Sequence, residues 1–290
     1  MKNKEVVKEK DLDGFRHKDW IVRCIPNLYP AFSPPGEDKS FKIEGGNHAE
    51  AFGYHEVIIE SPRHNENPGN ARISQLIHVI NAFLDRLKFF QEKSYVKYVS
   101  IFRNYKREGG ASLSHAHSQI IATPIVPRIV KEELDASRKE WEKGQECVFC
   151  KIIKMERHSS RFIWENNDFV TFSPWASINP FEFWIFPKKH ESSPLEMNKD
   201  EIRGFAEALR LCLGSLQSLL NDPPYNFGFH IAPAGDYKFY HWHVEVYPRL
   251  AIWAGFEKST GMYINVIPPE DAAKSLREEI QNWKNKWELL

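Results

Sequence analysis

The chain has 290 residues, 42% of them hydrophobic and 27% charged, with 39 basic against 39 acidic side chains and a pI near 7.2. That balance excludes general nucleic-acid binding through a basic surface, and no apolar run nears the ~20 residues a membrane-spanning helix needs. The charged first residues, "MKNKEVVKEKDLDGF", lack the apolar core of a signal peptide, so the expectation is a cytoplasmic protein with no nucleic-acid or membrane partner.

In chain order, "DWIVRCIPNLYP" (19–30) reads as a strand holding Cys24. A strand over 54–64 is closed by Ser61-Pro62. Over 71–93, Ile73, Leu76, Ile77, Ile80, Phe83, Leu84 and Leu87 recur at helical spacing. A strand at 96–104 runs through a Gly-containing connection into "SLSHAHSQIIATP" (112–124), again a strand. A polar helix (128–143) precedes Cys147-Val-Phe-Cys150. The order then repeats. A hairpin turns at Asn166-Asn167-Asp168, and a strand covers 181–190. A helix at 198–220 starts on Asn198 as N-cap, with Glu201 completing a capping box. Strands at 225–233 and 239–250 and a last helix at 270–287 follow. His64 precedes His115 by the same 51 residues that separate His190 from His241. The expectation is an α+β chain of two fused, similar units, 1–143 and 144–290, with largely antiparallel sheets and flanking helices.

Two histidine rows carry the chemistry. His115, His117 and Gln119 stand at a period of two, as do His241, His243 and Glu245, which on a strand puts each triplet on one face. A lone strand histidine is more often structural than reactive, but two such triplets among 12 histidines are hard to ascribe to chance. In a reducing compartment C-x-x-C reads as a metal knuckle or a redox pair. Cys147, Cys150, His190 and His241 together make a complete tetrahedral zinc set. The first unit offers His64 and His115 but only the single Cys24. Those two histidines are therefore expected to stay metal-free and to hydrogen-bond to each other or to backbone. A neutral imidazole can attack phosphorus directly. Gln119 can donate to phosphoryl oxygens without bringing charge, whereas Glu245 would repel them. This assigns the nucleophile to His117 and a structural or metal role to the second triplet. Gly109, Gly110, Ala111 and Ser112 permit close approach of backbone to a phosphate.

"IFRNYKREGGASLSHAHSQIIATPIVP", "WIVRCIPNLYPAF", "HEVIIESPRHNENP" and "AGFEKSTGMYINVIPPEDAA" resemble galactose-1-phosphate uridylyltransferases of the histidine-triad superfamily. The resemblance runs from about residue 19 to about 275. It implies two fused histidine-triad units in a homodimer and ping-pong transfer of UMP from UDP-glucose to a hexose 1-phosphate. It implies a nucleotidylated His117, with Gln119 and Ser112 on the phosphoryl groups, Asn27 and Asn104 on the nucleotide, and Glu257 on hexose hydroxyls. It implies zinc, with the identity of a second metal left open between zinc and iron. Two departures stand out. Ala116 replaces the usual proline between the histidines. The N-terminal C-x-x-C segment common in the family is also missing, so the expectation is a shortened paralogue or a start upstream of Met1. A phosphorylase or hydrolase of nucleoside-diphosphate sugars or dinucleoside polyphosphates is the rival activity, and a weakly catalytic nucleotide-binding paralogue is a third. Gln119 favours transfer over hydrolysis, since free-standing hydrolases of the superfamily carry histidine there.

Overall fold

The computed structural model describes residues 19–35 and 51–287; the N-terminal charged stretch lies outside them. One mixed-length antiparallel sheet of nine strands organises the described residues. In chain order the elements are β1 (Arg23–Pro26), β2 (Tyr54–Ile59), α1 (Ile73–Gln91), β3 (Tyr98–Tyr105), β4 (His117–Thr123), α2 (Arg128–Gly144) and α3 (Val148–Glu156). Next come β5 (Phe162–Glu165), β6 (Phe169–Phe172), β7 (Phe183–Pro187), α4 (Lys199–Leu219), β8 (Tyr225–His230), β9 (His243–Pro248), α5 (Gly255–Thr260) and α6 (Pro269–Trp287). Among these helices none is long and apolar enough to cross a membrane.

The strand order β1-β2-β4-β3-β8-β9-β7-β6-β5 carries the duplication. Reading outward from the β3–β8 seam, the first half runs β3, β4, β2, β1 and the second runs β8, β9, β7, β6. Registers repeat as well. Phe102 faces Gln119 as Gly228 faces Glu245, and Val57 faces Gln119 as Trp184 faces Glu245. The expected α+β pair of similar units is therefore present as one continuous sheet, sealed where Phe102–Tyr105 pairs with Gly228–Tyr225.

One face of this sheet is closed by α1, α4 and α6. Ile58, Ile101, Ile120, Phe205, Leu213 and Leu276 meet there in one apolar core. Burying each such side chain contributes about 1.5–3 kcal/mol. The capping box of α4 is formed as expected: Asn198 Oδ1 accepts from the Asp200 and Glu201 amides, and Glu201 Oε2 accepts from the Asn198 amide. On the opposite face α2 and α3 cover the second half, packing Val130, Leu134, Phe149 and Ile153 near Phe172, Phe186 and Tyr240. In the first half, that face is half-exposed at Val57, Phe102, Asn104, Gln119 and Ile121.

Two expectations need correction. His115 does not share a strand with His117, because β4 begins at His117. The partner strand ends at Ile59 opposite His117, and Pro62, lacking an N–H, cannot extend the ladder. His241 likewise stands ahead of β9, which begins at His243. Two helices, α3 and α5, were not foreseen from sequence.

Candidate functional site

His117 opens β4 and is buried. Its Nδ1–H donates to the carbonyl oxygen of His115 at 2.8 Å, which leaves Nε2 with the lone pair. Burial, aided by the Arg103 guanidinium, lowers its pKa below the ordinary value and favours the neutral, nucleophilic imidazole. Gln119 follows on the same face, with Oε1 accepting from His55 Nε2 at 2.7 Å and from Asn27 Nδ2 at 3.5 Å. Asn27 follows β1 beside them and its Oδ1 accepts from the Tyr29 amide. Asn104, on β3, accepts through Oδ1 from Asn226 Nδ2 at 2.8 Å, and the same Nδ2 donates to the Gly109 carbonyl at 2.6 Å.

The loop between β3 and β4 needs its glycines. Gly110 has φ +87°, and a Cβ on Gly109 would lie 2.3 Å from the Tyr105 carbonyl oxygen. Ser112 is exposed in this loop, ahead of the histidines. So Gln119 on β4 and Asn104 on the neighbouring β3 lie on one half-exposed face, with the buried His117 at the start of β4, Asn27 reaching in from just beyond β1, which β2 separates from β4, and Ser112 on the loop that leads into it. Glu257 lies apart. Its Oε2 accepts from the Ala254 amide at the start of α5, and no hydrogen bond among the described residues links it to this face.

Beneath β4, on the helix-covered side, Arg103 forms a buried ion pair with Glu60 and donates from Nη1 to the His117 carbonyl at 2.9 Å. Ser118 Oγ donates to Glu60 Oε1 at 2.6 Å. The strand that carries the nucleophile is thus pinned from below by charge.

The second half holds the cysteine–histidine quartet. Cys147 is the N-cap of α3 and Cys150 lies in its first turn, so the C-x-x-C spacing delivers both sulfurs to one helix end. The ligating atoms of Cys147, Cys150, His190 and His241 all lie within 4.8 Å of one another. Cys150 Sγ stands 3.3 Å from His190 Nδ1 and 3.5 Å from His241 Nδ1. A tetrahedron with zinc–ligand bonds of about 2.0–2.3 Å has edges of roughly 3.3–3.8 Å, so these separations fit. Each imidazole turns Nδ1 inward and donates from Nε2–H to a carbonyl, His190 to Lys238 and His241 to Pro187, both at 2.9 Å. Such outer bonds fix the tautomer a metal requires. A hydrogen bond from the Cys150 thiol holds the Cys147 thiol far below its ordinary pKa.

In the first half His64 Nδ1 lies 3.2 Å from His115 Nδ1, and His115 Nε2 lies 2.7 Å from the Ser61 carbonyl. The expected mutual and backbone hydrogen bonds are both formed.

A second cluster escaped the sequence reading. Glu133 of α2, His230 of β8, and His243 and Glu245 of β9 also bring their ligating atoms within 4.8 Å. His230 Nδ1 donates to Glu133 Oε1 at 2.8 Å, and His243 Nε2 lies 3.2 Å from Glu245 Oε1. Against burial, which would lower it, the Glu245 and Glu133 carboxylates raise the pKa of His230 to about 9. Against burial, His230 and His243 hold Glu245 down at about 2. His243 is therefore engaged by Glu245. The period-two row hinted at His243 and Glu245, but nothing in the spacing points to a carboxylate on a distant helix.

A family model described as a domain of unknown function, DUF4921, matches residues 60–289. The ADP-glucose phosphorylase of Arabidopsis thaliana is 35% identical over 267 residues, spanning 90% of this chain and 75% of that protein. A galactose-1-phosphate uridylyltransferase of Thermotoga maritima is 31% identical over 272 residues, spanning 90% and 85%. Among solved structures, an ADP-glucose phosphorylase from Arabidopsis thaliana with bound ADP-glucose matches with a TM-score of 0.83 at 32% identity, covering 93% of this chain and 85% of that one. A uridylyltransferase structure matches with a TM-score of 0.84 at 28% identity, covering 92% and 88%. The sheet, its duplicated order and these matches agree: the chain belongs to the DUF4921 family, among the galactose-1-phosphate uridylyltransferase-like proteins.

Proposed function

We propose that the protein is a nucleotidyltransferase that cleaves a nucleoside-diphosphate hexose and passes the nucleotide to a phosphate acceptor through a covalent nucleotidyl-His117. The observation that carries this reading is the state of His117: buried, neutral, Nδ1 tied to the His115 carbonyl and Nε2 available, with the Gln119 amide on the same face. The Nε2 lone pair attacks the α-phosphorus. The N–P bond forms as the bridging P–O bond to the β-phosphate breaks, and hexose 1-phosphate leaves with that electron pair. A phosphate oxygen of the acceptor then attacks the same phosphorus, the N–P bond breaks, and its electrons return to Nε2. Gln119 donates to the phosphoryl oxygens as charge builds there, a role worth on the order of a hundredfold or more in rate. Asn27, Asn104 and Ser112 hold the nucleotide and its phosphates.

With UDP-glucose as donor and a hexose 1-phosphate as acceptor, this is uridylyl exchange. With inorganic phosphate as acceptor, the same two steps are phosphorolysis. The 35% identity to an ADP-glucose phosphorylase supports that second reading. Glu257 serves the hexose from the second protomer of a homodimer; its place, half-exposed on an otherwise exposed helix beside the outward apolar residues Ile252, Met262 and Ile264, supports this. Cys147, Cys150, His190 and His241 would hold zinc, which supplies structural cross-linking. Glu133, His230, His243 and Glu245 would hold a second metal. The division at 143/144 and a cytoplasmic setting belong to the same reading.

The test uses UDP-glucose and ADP-glucose labelled at the α-phosphorus. The expected result is an acid-labile adduct on the wild type, missing from His117→Gly, and discharged by galactose 1-phosphate or inorganic phosphate. Discharge by water alone would make the protein a hydrolase. No adduct with either donor would leave a nucleotide-binding paralogue and overturn the proposal.

A further inference from the structure

We infer that His55 is a positioning residue that fixes which way the Gln119 amide points, an inference that rests on the transfer chemistry proposed for His117. His55 lies on β2, next to β4, and faces Ile121 across the ladder, so its ring reaches diagonally to Gln119. Its Nδ1 accepts the backbone N–H of Ala31 at 3.0 Å. A backbone donor cannot be reversed, so a neutral His55 must carry its proton on Nε2. That Nε2–H lies 2.7 Å from Gln119 Oε1 and requires an acceptor there. The carbonyl end of the Gln119 side chain is therefore turned toward His55, and its NH2 end is turned away from it.

Asn27 reinforces the choice. Its Oδ1 is taken by the Tyr29 amide, so its Nδ2 points inward, 3.1 Å from His55 Nε2 and 3.5 Å from Gln119 Oε1; with Nε2 protonated the ring offers it no acceptor, and Gln119 Oε1 is the oxygen left to it. Two donors converge on one oxygen. No hydrogen bond among the described residues uses the Gln119 NH2 group. It is left to donate on the face that it shares with His117. A reversed amide would present an oxygen lone pair to an anionic phosphoryl group. Without His55, the side chain has only the long contact to Asn27 to resist that reversal. The second half of the sheet shows what the position becomes when no amide needs orienting: Glu245, opposite Trp184, is a carboxylate whose two oxygens are equivalent.

The experiment has two arms. In the first, nucleotidylation rates are measured in single turnovers for wild type, His55→Phe, His55→Gln, Gln119→Ala and the His55→Phe/Gln119→Ala pair, with KM followed separately. His55→Phe is expected to slow the step about 10- to 100-fold, with KM moving far less. His55→Gln, which restores a donor near Nε2, is expected to recover most of the rate. In the Gln119→Ala background the His55→Phe change is expected to add little, since its target is gone. Equal losses in both backgrounds, or a His55→Phe enzyme at the wild-type rate, would overturn the inference. In the second arm, nitrogen NMR shifts report the His55 tautomer and the Gln119 side-chain amide in the wild type. The expected result is an Nε2-protonated ring, and an Nδ1-protonated ring would overturn the inference whether or not the protein transfers nucleotide. A wild type with no adduct but an Nε2-protonated His55 would count against the proposed function and leave the orienting contact standing.

Discussion

Replacing Glu60 with Gln strips the buried Arg103 of its counter-charge. Arg103 is 1% exposed and Glu60 3%, and the pair lies between β4 and the helix layer. The isosteric amide keeps an oxygen for Ser118 and costs almost no volume, so the loss is electrostatic. Removing one partner of a buried pair costs about 3–5 kcal/mol, because the remaining charge stays desolvated. With an unfolding entropy of about 2.1 cal/mol/K per residue, 290 residues give about 0.6 kcal/mol/K. The expected fall in Tm is then about 5–8 °C by calorimetry. The same change reaches the nucleophile. Arg103 lowers the pKa of His117 and Glu60 raises it, so Glu60→Gln leaves Arg103 unopposed and moves the acid limb of the rate profile to lower pH. The double change Glu60→Met with Arg103→Met removes both charges and is expected to recover roughly half of the lost stability, since a buried pair is often replaceable by apolar side chains. A Glu60→Gln protein within about 1 °C of wild type, or an acid limb that moves upward, would refute the reasoning.

The wild-type nucleotidylation rate is expected to be flat through neutral pH and to fall on the acid side with an apparent pKa below the ordinary 6.5 of histidine, measured in single turnovers. The linked stability has the same sign: the unfolded chain binds the proton more readily, so stability falls as pH drops from 6.5 through the folded-state pKa of His117. Cys147→Ser is expected to lower metal content by one equivalent per chain, read by elemental analysis, and to lower Tm along with it. Light scattering is expected to give the mass of a dimer, and Ile252→Asp, which places a charge on a side chain 93% exposed in the isolated chain, is expected to give a monomer that retains the fold but loses transfer.

The duplication was legible because each half repeats the same hydrophobic punctuation and the same histidine interval, and pairing then follows from the sheet. The metal quartet was legible because the C-x-x-C spacing of Cys147 and Cys150 reads as a metal knuckle and His190 and His241 recur at the interval of His64 and His115. Alternation alone misplaced His115 and His241. A period of two says nothing about where the partner strand stops, and here Pro62 and the exit at Ile59 decide it. His55 could not be singled out, because its importance lies in a backbone amide at Ala31 that is near only after folding. Glu133 was hidden for a related reason: it comes from α2, which sequence reading takes as a polar helix, and it becomes half-buried only when folding brings it against His230 and Tyr240.

The seam between β3 and β8 has a consequence for how the chain could be taken apart. Among the described residues, four pairs, Phe102↔Gly228 to Tyr105↔Tyr225, are all that join the two half-sheets edge to edge. A cut between α2 and α3 would free β3 and β8 as bare strand edges, each a template for any passing strand. The natural mate of each edge is the other fragment, held in register by matching side chains such as the Asn104–Asn226 pair. Two pieces made together would therefore have a built-in address for each other, while either piece made alone would seek the same address on its own copies and aggregate.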